Sequence, residues 1–582
     1  MSTNESYVFS HKVTDKHSEK NDLICHIAVG SYQSKIQINS KIIEANRVQM
    51  ISLGIEGTAH TIGCGIVDEY KILGNSSDTY KSLNGGIHPR EAAVHHADHV
   101  SEVINSALDK AGIKLSDIDL VSYSRGPGLG PCLRVAATAA RAISIKTGKP
   151  IIGVNHPLGH VEIGRKLTGA KDPIMLYASG GNTQIIAHIN GRYRVMGETM
   201  DMGIGNLLDK VGRDLGYEFP GGPVIEKLSL NGKKLLNLPY SIKGMDFSFS
   251  GIYTASKQLL KNGERKEDVA YSIQETAFSM IMEVLERGIH QVSKKEILIA
   301  GGVARNKRLR EMMSTLGKEL NIKSFLTNDE YCMDNGAMIA QAGMLMFQSG
   351  RSDTVETATV DQRFRIDAVD VPWIIDSPID SKVDEGAESI IQECSFLGRN
   401  ALRKTRIRKN YRDSMLDISI RKERIKREAT LIYKMNELGI PVPIVYDIDF
   451  SKFYTLYERI DGEKLSSYLE KSENKATSVI EKLGESIGIM HSKSITHGDL
   501  TTSNIIVKNG VPYLIDASMG STSSTLDELA VDLYLFMESL RVISKDPETL
   551  FRSFVDGYSR RNPEFGLVMQ EMDNLEKRRR YV

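Results

Sequence analysis

The sequence predicts an α/β protein with a duplicated core, followed by a separate second region. From Met50 to about Phe347, short apolar segments alternate with helical stretches, which is the layout of α/β folds. Glycine turns follow apolar strands in GIEGTAHT, in ASGGNT and at Gly301-Gly302. Because backbone N–H groups in such turns can approach phosphate oxygens closely, we expect two nucleotide-binding halves with a cleft between them.

The individual strands can be assigned in order. ISLGIEGTAHTIGCGIV predicts two strands joined by a Gly/Thr turn, and PIMLYASGGNTQIIAHI predicts a hairpin around Gly180-Gly181-Asn182. DIDLVSYSRGPG predicts a strand that ends in a glycine loop, and EILIAGGVARN predicts a strand, a turn and then a helix. The sequence contains neither G-x-x-x-x-G-K-[ST] nor a G-x-G-x-x-G after a strand, so it has no P-loop and no dinucleotide fingerprint.

Composition limits the class of protein only broadly. The 582 residues are enough for two or more domains, and the 74 basic side chains balance the 74 acidic ones. Five scattered cysteines without a C-x-x-C pair indicate a reducing, cytoplasmic location and argue against a cysteine-built zinc site. No apolar run reaches membrane-spanning length. Residues 1–49 are polar and irregular, so we expect an N-terminal extension that is disordered or not translated, with Met50 as the true start.

Two histidine pairs have the spacing of metal ligands on a helix. His156 and His160 in NHPLGH, and His95 and His99 in GGIHPREAAVHHADHV, each lie one helical turn apart. Spacing alone does not choose between them, and an isolated H-x-x-x-H is often only a hydrogen-bonded pair. A zinc protease requires H-E-x-x-H, with glutamate as general base. Since neither pair has that glutamate, peptide hydrolysis is not the expected activity.

Many motifs in this region occur together, in order, as in one known family. The region at about residues 50–373 resembles the archaeal and eukaryotic KEOPS transferase, the threonylcarbamoyl transferase that was once described as a glycoprotease. The motifs that carry the resemblance are GIEGTAHT, HPREAAVHHADH, YSRGPGLGPCLRV, NHPLGH, YASGGNT, IGNLLDKVGRDLG, FSFSGI, GGVARN and CMDNGAMIA. The resemblance implies the duplicated actin/Hsp70/sugar-kinase (ASKHA) fold. It also implies transfer of a threonylcarbamoyl group from threonylcarbamoyl-adenylate to N6 of the tRNA adenosine beside the anticodon, in tRNAs that read ANN codons.

The resemblance also assigns roles to residues. It implies one Fe(II) or zinc ion held by His156, His160, Tyr177 and Asp334, and it leaves His95 and His99 with a structural or tRNA-facing role. It implies that the donor binds at the YASGGNT turn and at a set of nucleoside-contacting residues further along the chain. This donor site consists of Tyr177, Ala178, Ser179, Gly180, Gly181, Asn182, Asp209, Gly222, Glu226 and Asn306.

The second region carries the parts of a phosphoryl-transfer site. In THGDLTTSNIIV, Asp499 would act as the base, while Asn504 and Asp516, in VPYLIDASMG, would hold Mg²⁺. Lys404 would grip the phosphates of ATP with Glu428 as its ion-pair partner. Gly386 and Ala387 in EGAESII form a weaker candidate for the ATP loop. We therefore expect a Mg-ATP site in a small α+β, bilobal kinase domain.

This second region resembles the small RIO-like kinase of the same KEOPS complex. HGD replaces HRD, DAS replaces DFG and no A-P-E follows, so ATP hydrolysis that supports the transferase is favoured over protein phosphorylation. The predicted division is an extension at 1–49, a transferase domain at 50–373, a linker at 374–382 and a kinase domain at 383–582. The resemblance implies small dimerising and regulatory KEOPS subunits as partners.

Basic clusters in the second region suggest a contact with tRNA. They are TRIRKNYR (405–412), RKERIKR (421–427) and KRRRY (577–581), and two contain a tyrosine that could stack on a base. Two other functions remain open at this point. One is a bifunctional kinase whose first half phosphorylates a small molecule, and the other is a binding scaffold with inactive sites.

Overall fold

The computed structural model describes residues 50–81, 88–375, 388–472 and 476–581. Ile51–Val582 forms one compact unit. The N-terminal extension, most of the expected linker, and Gly386 and Ala387 lie outside the described residues. The side chains of the KRRRY segment lie outside them as well.

The first sheet has five strands in the order β3-β2-β1-β4-β5. The first three strands form an antiparallel meander, and β4 and β5 continue the sheet in parallel with β1. The strands are β1 (Ser52–Glu56), β2 (Thr61–Val67), β3 (Ile72–Thr79), β4 (Leu120–Gly126) and β5 (Ile151–Asn155).

The second sheet repeats this topology. Its order is β12-β11-β6-β7-β8, with an antiparallel meander β6-β7-β8 and two further strands parallel to β6. The strands are β6 (Ile174–Ala178), β7 (Thr183–Ile189), β8 (Arg192–Glu198), β11 (Glu296–Ala300) and β12 (Lys323–Leu326), with a small β9–β10 pair at Ile242–Lys243 and Asp246–Phe247. The duplicated core expected from the glycine hairpins and the ASKHA fold implied by the resemblance are therefore confirmed.

Helices cover both sheets of the first region. They are α1 (Pro89–Ala111), α2 (Gly130–Thr147), α3 (His156–Thr168), α4 (Ile204–Asp214), α5 (Gly221–Ser229), α6 (Ser250–Lys261), α7 (Lys266–Val292), α8 (Lys307–Glu319), α9 (Asp329–Cys332) and α10 (Gly336–Gln348). No helix in the described ranges is long and apolar enough to cross a membrane.

Glycines allow helix α10 to lie directly on the first sheet. A Cβ atom on Gly54 would lie 2.2 Å from the backbone nitrogen of Ala340, and one on Gly65 would lie 2.0 Å from that of Ala337. Both distances are far below any van der Waals contact, so only glycine permits this approach. The packing fixes the N-terminal end of α10 beside strands β1 and β2, and Asp334 lies just before that end.

The second region has two small sheets and a set of helices. The first sheet has the order β13-β14-β16-β15 and the second the order β17-β18-β19. The strands are β13 (Ser389–Phe396), β14 (Arg399–Arg406), β15 (Val445–Asp449), β16 (Tyr454–Glu458), β17 (Glu463–Lys464), β18 (Ile505–Lys508) and β19 (Val511–Leu514). The helices are α11 (Ser414–Glu437), α12 (Leu465–Ser472), α13 (Thr477–His491), α14 (Leu526–Ile543), α15 (Pro547–Ser559) and α16 (Phe565–Tyr581).

Part of the expected tRNA surface is instead buried between the two regions. Lys409 contacts Glu286 at 2.5 Å and Arg412 contacts Glu283 at 2.5 Å, and both acidic residues belong to helix α7. Tyr411 is completely buried and donates a hydrogen bond to Glu286 at 3.0 Å. The prediction was therefore wrong for these three residues, because distant carboxylates neutralise the cations and burial removes the tyrosine from any base.

Candidate active sites

Two histidines and one aspartate converge at the inner end of the cleft in the first region. The Nε2 atoms of His156 and His160 lie 3.4 Å and 3.3 Å from the same Oδ1 atom of Asp334. Helix α3 carries both histidines, and Asn155 caps it by accepting a hydrogen bond from the Leu158 N–H at 3.1 Å. The helix predicted for NHPLGH is therefore present, and one potential ligand atom from each member of the trio lies within 4.8 Å of the others.

A buried glutamate behind the trio orients His156. The Oε2 atom of Glu56 lies 3.1 Å from His156 Nδ1, and its Oε1 atom accepts hydrogen bonds from the Thr58 N–H at 2.8 Å and the Thr58 hydroxyl at 2.5 Å. This contact turns Nε2 of the imidazole toward Asp334, which is how supporting residues commonly orient metal-binding histidines. Glu56 was not among the residues predicted from the sequence, although a charged residue in the apolar strand SLGIE is an available signal.

Burial and neighbouring charges shift the pKa values of the three residues in different directions. Burial opposes ionisation of Asp334, but the two histidines outweigh it and hold the pKa of Asp334 well below its usual range. Burial also opposes protonation of His156, yet Glu56, Tyr177 and Asp334 raise its pKa well above the ordinary value. For His160, burial prevails and lowers the pKa.

The donor set fits a transition-metal ion. Two imidazoles and one carboxylate are typical ligands of iron and zinc and leave coordination positions for a substrate. Nε2 of His160 faces Asp334, while its Nδ1 is buried and has no hydrogen-bond partner among the described residues. The ring of Tyr177 lies 5.0 Å from that of His160 and 6.5 Å from that of His156, and burial raises its pKa.

The trio opens into a cavity of about 710 Å³ between the two halves of the first region. This volume suits a nucleotide-sized ligand. The predicted residues that line the cavity are His156, Tyr177, Ser179, Gly180, Gly181, Asn182, Asp209, Gly222, Glu226, Asn306 and Asp334. Ala178 and His160 are completely buried beside them.

The hairpin between β6 and β7 presents bare backbone to this cavity. The Ser179 N–H donates to the Asn182 carbonyl at 2.8 Å, and the Asn182 N–H donates to the Ser179 hydroxyl at 3.1 Å. A Cβ atom on Gly181 would meet no atom within 4 Å, so this glycine faces open space. A Cβ on Gly203 would lie 2.5 Å from the Gly180 carbonyl oxygen, which explains why the start of helix α4 can support the hairpin closely.

On the side of the cavity that is predicted to bind the nucleoside, two carboxylates accept hydrogen bonds from backbone N–H groups. Asp209 accepts one from the Gly221 N–H at 2.7 Å, and Glu226 accepts one from the Lys307 N–H at 2.9 Å. Burial raises the pKa of Asp209. Asn306 caps helix α8 through its oxygen and donates its amide to Gln274 at 2.9 Å, so its side chain also holds α8 against α7.

The sequence analysis missed two aromatic rings of the cavity wall. His60 and Phe219 both line the cavity, with ring centroids 6.0 Å apart in an edge-on arrangement. Nδ1 of His60 is buried without a hydrogen-bond partner in the structure. His60 lies within the GIEGTAHT turn, where a polar ring after a predicted phosphate-binding hairpin is a usable signal.

A second cluster of charged side chains lies between the two sheets of the second region. Nζ of Lys404 lies 2.9 Å from Glu428 and 2.7 Å from Asp516, which is the lysine–glutamate–aspartate arrangement expected for an ATP site. Asn504 donates to the Asp499 carboxylate at 2.8 Å. Despite burial, Lys404 and Arg406 lower the pKa of Asp516 to about 2, so it is ionised and suited to a divalent cation.

Buried ion pairs connect this cluster to helix α7. Arg406 contacts Glu428 at 2.7 Å and Glu388 at 3.0 Å. Glu388 also pairs with Arg287 of α7, which in turn contacts Glu283 at 2.7 Å. The ion pairs thus form an unbroken chain from Lys404 to a helix of the first region.

Comparison with known families gives two matches along the chain. Residues 71–341 match tRNA N6-adenosine threonylcarbamoyltransferase (TsaD), and residues 390–528 match the RIO domain. Proteins of Thermoplasma volcanium and Thermoplasma acidophilum are each 53% identical over 534 residues, which cover 92% of this chain and 100% of each relative. A protein of Methanocaldococcus jannaschii is 40% identical over 541 residues with the same coverage. All three are named probable bifunctional tRNA threonylcarbamoyladenosine biosynthesis protein.

The fold and the two sites define an ASKHA-type transferase joined to a RIO kinase-like domain. The chain belongs to the family of bifunctional tRNA threonylcarbamoyladenosine biosynthesis proteins. Its function is therefore the biosynthesis of threonylcarbamoyladenosine in tRNA, as the resemblance of both regions to KEOPS subunits implied.

Proposed function

We propose that the first region, residues 50–373, transfers the threonylcarbamoyl group of threonylcarbamoyl-adenylate to N6 of the tRNA adenosine beside the anticodon, in tRNAs that read ANN codons. The observation that carries this proposal is the convergence of the SGGN hairpin and the His156–His160–Asp334 trio on one cavity. The hairpin offers backbone N–H groups that suit a phosphate, and the trio offers ligands that suit a cation. That pairing fits an acyl-adenylate, whose phosphate and reactive carbonyl are adjacent.

In the reaction, the N6 amine forms a bond to the carbamoyl carbon, and the bond from that carbon to the phosphate oxygen breaks. AMP leaves with the electron pair, and the amine proton passes to solvent. The backbone of Ser179–Asn182 holds the phosphate, while Asp209 and Glu226 orient the nucleoside. His156, His160 and Asp334, with Tyr177 as a further ligand, would hold Fe(II) or zinc, and the bound ion would supply a Lewis acid for the carbonyl.

The orientation of the trio depends on Glu56. The completely buried Glu56 carboxylate accepts a hydrogen bond from Nδ1 of His156. This hydrogen bond directs Nε2 of His156 into the cavity. The role of Glu56 is therefore to position His156, because Glu56 itself lies behind the imidazole and does not line the cavity.

The second region, residues 383–582, would bind Mg-ATP and support the transferase cycle through ATP hydrolysis. Lys404 would hold the phosphates, Asn504 and Asp516 would hold Mg²⁺, and Asp499 would orient the attacking water. Small KEOPS dimerising and regulatory subunits are the expected partners, and the expected location is the cytoplasm.

Supplying the donor directly tests the transferase proposal. Purified chain, tRNA and synthetic threonylcarbamoyl-adenylate should yield modified tRNA and AMP in equal amounts, without ATP. If the chain instead consumed ATP and phosphorylated a small molecule, while the adenylate stayed intact, the bifunctional-kinase alternative would replace this proposal. The metal-type trio favours the transferase, because phosphoryl transfer does not require two histidine ligands.

A further inference from the structure

The other histidine pair forms a second three-residue cluster at the edge of the first sheet. His95 and His99 of helix α1 face Asp78 of strand β3, and one potential ligand atom from each residue lies within 4.8 Å of the others. Nε2 of His95 lies 2.9 Å from the Asp78 carboxylate. The donor types are the same as in the His156–His160–Asp334 trio, yet no residue is shared.

Local hydrogen bonding prepares His99 to bind a cation. Its Nδ1 donates to the backbone carbonyl of His95 at 2.8 Å, which leaves Nε2 as the atom with the free lone pair. The His95 and His99 rings are stacked with centroids 4.3 Å apart and planes 21° apart. Two nitrogens bound tetrahedrally to zinc lie roughly 3.3 Å apart, so a small tilt of these rings suffices.

The scaffold below the cluster is rigid. Ser76 of β3 donates to Ser106 of α1 at 3.0 Å, and Lys110 donates to the Asn75 carbonyl at 2.9 Å. A Cβ atom on Gly74 would lie 2.3 Å from the Ala107 carbonyl oxygen, so the helix and the strand are in direct backbone contact. The two elements therefore hold Asp78 opposite the histidines whether or not an ion is present.

We propose that Asp78, His95 and His99 form a second divalent-metal site, for which Zn²⁺ is the best-matched ion. Two imidazoles and a carboxylate provide three of the four ligands of tetrahedral zinc and leave one position for water. The Asp78 side chain is 46% exposed and that of His95 is 17% exposed, so an ion can enter from solvent. A simple ion pair between Asp78 and His95 would explain their 2.9 Å contact. It would not explain why the hydrogen bond at Nδ1 of His99 leaves Nε2 available as a ligand.

Zinc counting with single-site variants tests the proposal. The full chain is stripped with chelator, loaded with Zn²⁺, desalted and analysed by inductively coupled plasma mass spectrometry. Wild type should hold about two zinc ions per chain. His99→Ala and His156→Ala should each hold one, and the double variant none. His88→Ala, an exposed histidine just before helix α1, is the matched control and should hold two.

Melting temperatures measured with and without Zn²⁺ distinguish loss of the metal site from loss of folding. Zn²⁺ should raise the melting temperature of His156→Ala, and adding His99→Gln, which preserves side-chain size, should remove this rise. Equal zinc content in wild type and His99→Ala would overturn the proposal, as would a zinc-induced shift that survives His99→Gln. Because these readouts do not involve tRNA, they stand apart from any failure of the transferase proposal.

Discussion

Arg424 of helix α11 lies 2.6 Å from Glu283 of helix α7, and this contact joins the two catalytic regions. Helix α11 also carries Glu428, the partner of Lys404 in the proposed ATP site. Helix α7 carries Gln274, which accepts a hydrogen bond from Asn306 at the donor cavity. The Arg424–Glu283 pair thus links a helix that supports one site to a helix that supports the other, so loss of this pair should affect both sites.

Glu283→Gln should destabilise the chain strongly. Glu283 is buried and pairs with Arg287, Arg412 and Arg424. Its loss leaves these three buried guanidinium groups to share Glu388 and Asp417 as counter-charges. Removing one member of such a network costs about 3–5 kcal/mol. Chemical denaturation followed by circular dichroism measures the effect. Glu311→Gln is the control, since Glu311 is exposed and its contact with Arg308 is long, and it should change stability by less than about 0.5 kcal/mol.

Glu56→Gln should weaken metal binding without removing any ligand of the trio. An amide in place of the carboxylate reduces the pull on Nδ1 of His156. Loss of such a supporting contact typically lowers metal affinity about 10–100-fold. Competition with a chromogenic chelator measures the affinity. Glu69→Gln, at an exposed site, should leave it unchanged, and equal affinities for both variants would contradict the positioning role of Glu56.

Gly181→Ala should impair donor binding while leaving the fold intact. The new methyl group would meet no protein atom within 4 Å and would project into the space assigned to the phosphate. We expect an unchanged melting temperature and a KM for threonylcarbamoyl-adenylate raised about tenfold, equivalent to about 1.4 kcal/mol of lost binding. Steady-state kinetics with synthetic donor provides the measurement. An unchanged KM would move the phosphate away from this hairpin.

Lys404→Ala should abolish ATP hydrolysis. Lys404 contacts both Glu428 and Asp516, so its removal takes away the cation that faces the phosphates. Phosphate release from ATP is the assay, and a single round of transfer from synthetic donor should survive. Lys426→Ala, on an exposed face of the same helix as Glu428, serves as the control. Normal ATP hydrolysis by Lys404→Ala would refute the assigned site.

Secondary-structure elements and motif-based residue pairs could be predicted from the sequence. The burial of charged side chains by partners distant in the sequence could not. The paired strands around each glycine hairpin, the helix of NHPLGH and the Lys404–Glu428 pair all follow from residues close in sequence or from ordered motifs. Lys409, Tyr411 and Arg412 were misjudged because their acidic partners, Glu283 and Glu286, lie more than a hundred residues earlier. In general, a run of cations is read as exposed unless the partner is known, and only the folded chain supplies that partner.

The His156–His160–Asp334 trio is the group of residues proposed to carry out the tRNA modification. The most direct measurement is mass spectrometry of nucleosides from tRNA incubated with synthetic threonylcarbamoyl-adenylate and either wild type or Asp334→Asn. Wild type should produce threonylcarbamoyladenosine, and Asp334→Asn, with its melting temperature checked, should lower the yield at least about a hundredfold. Equal product from both proteins would contradict the assignment of the trio, and no product from either would contradict the transferase itself.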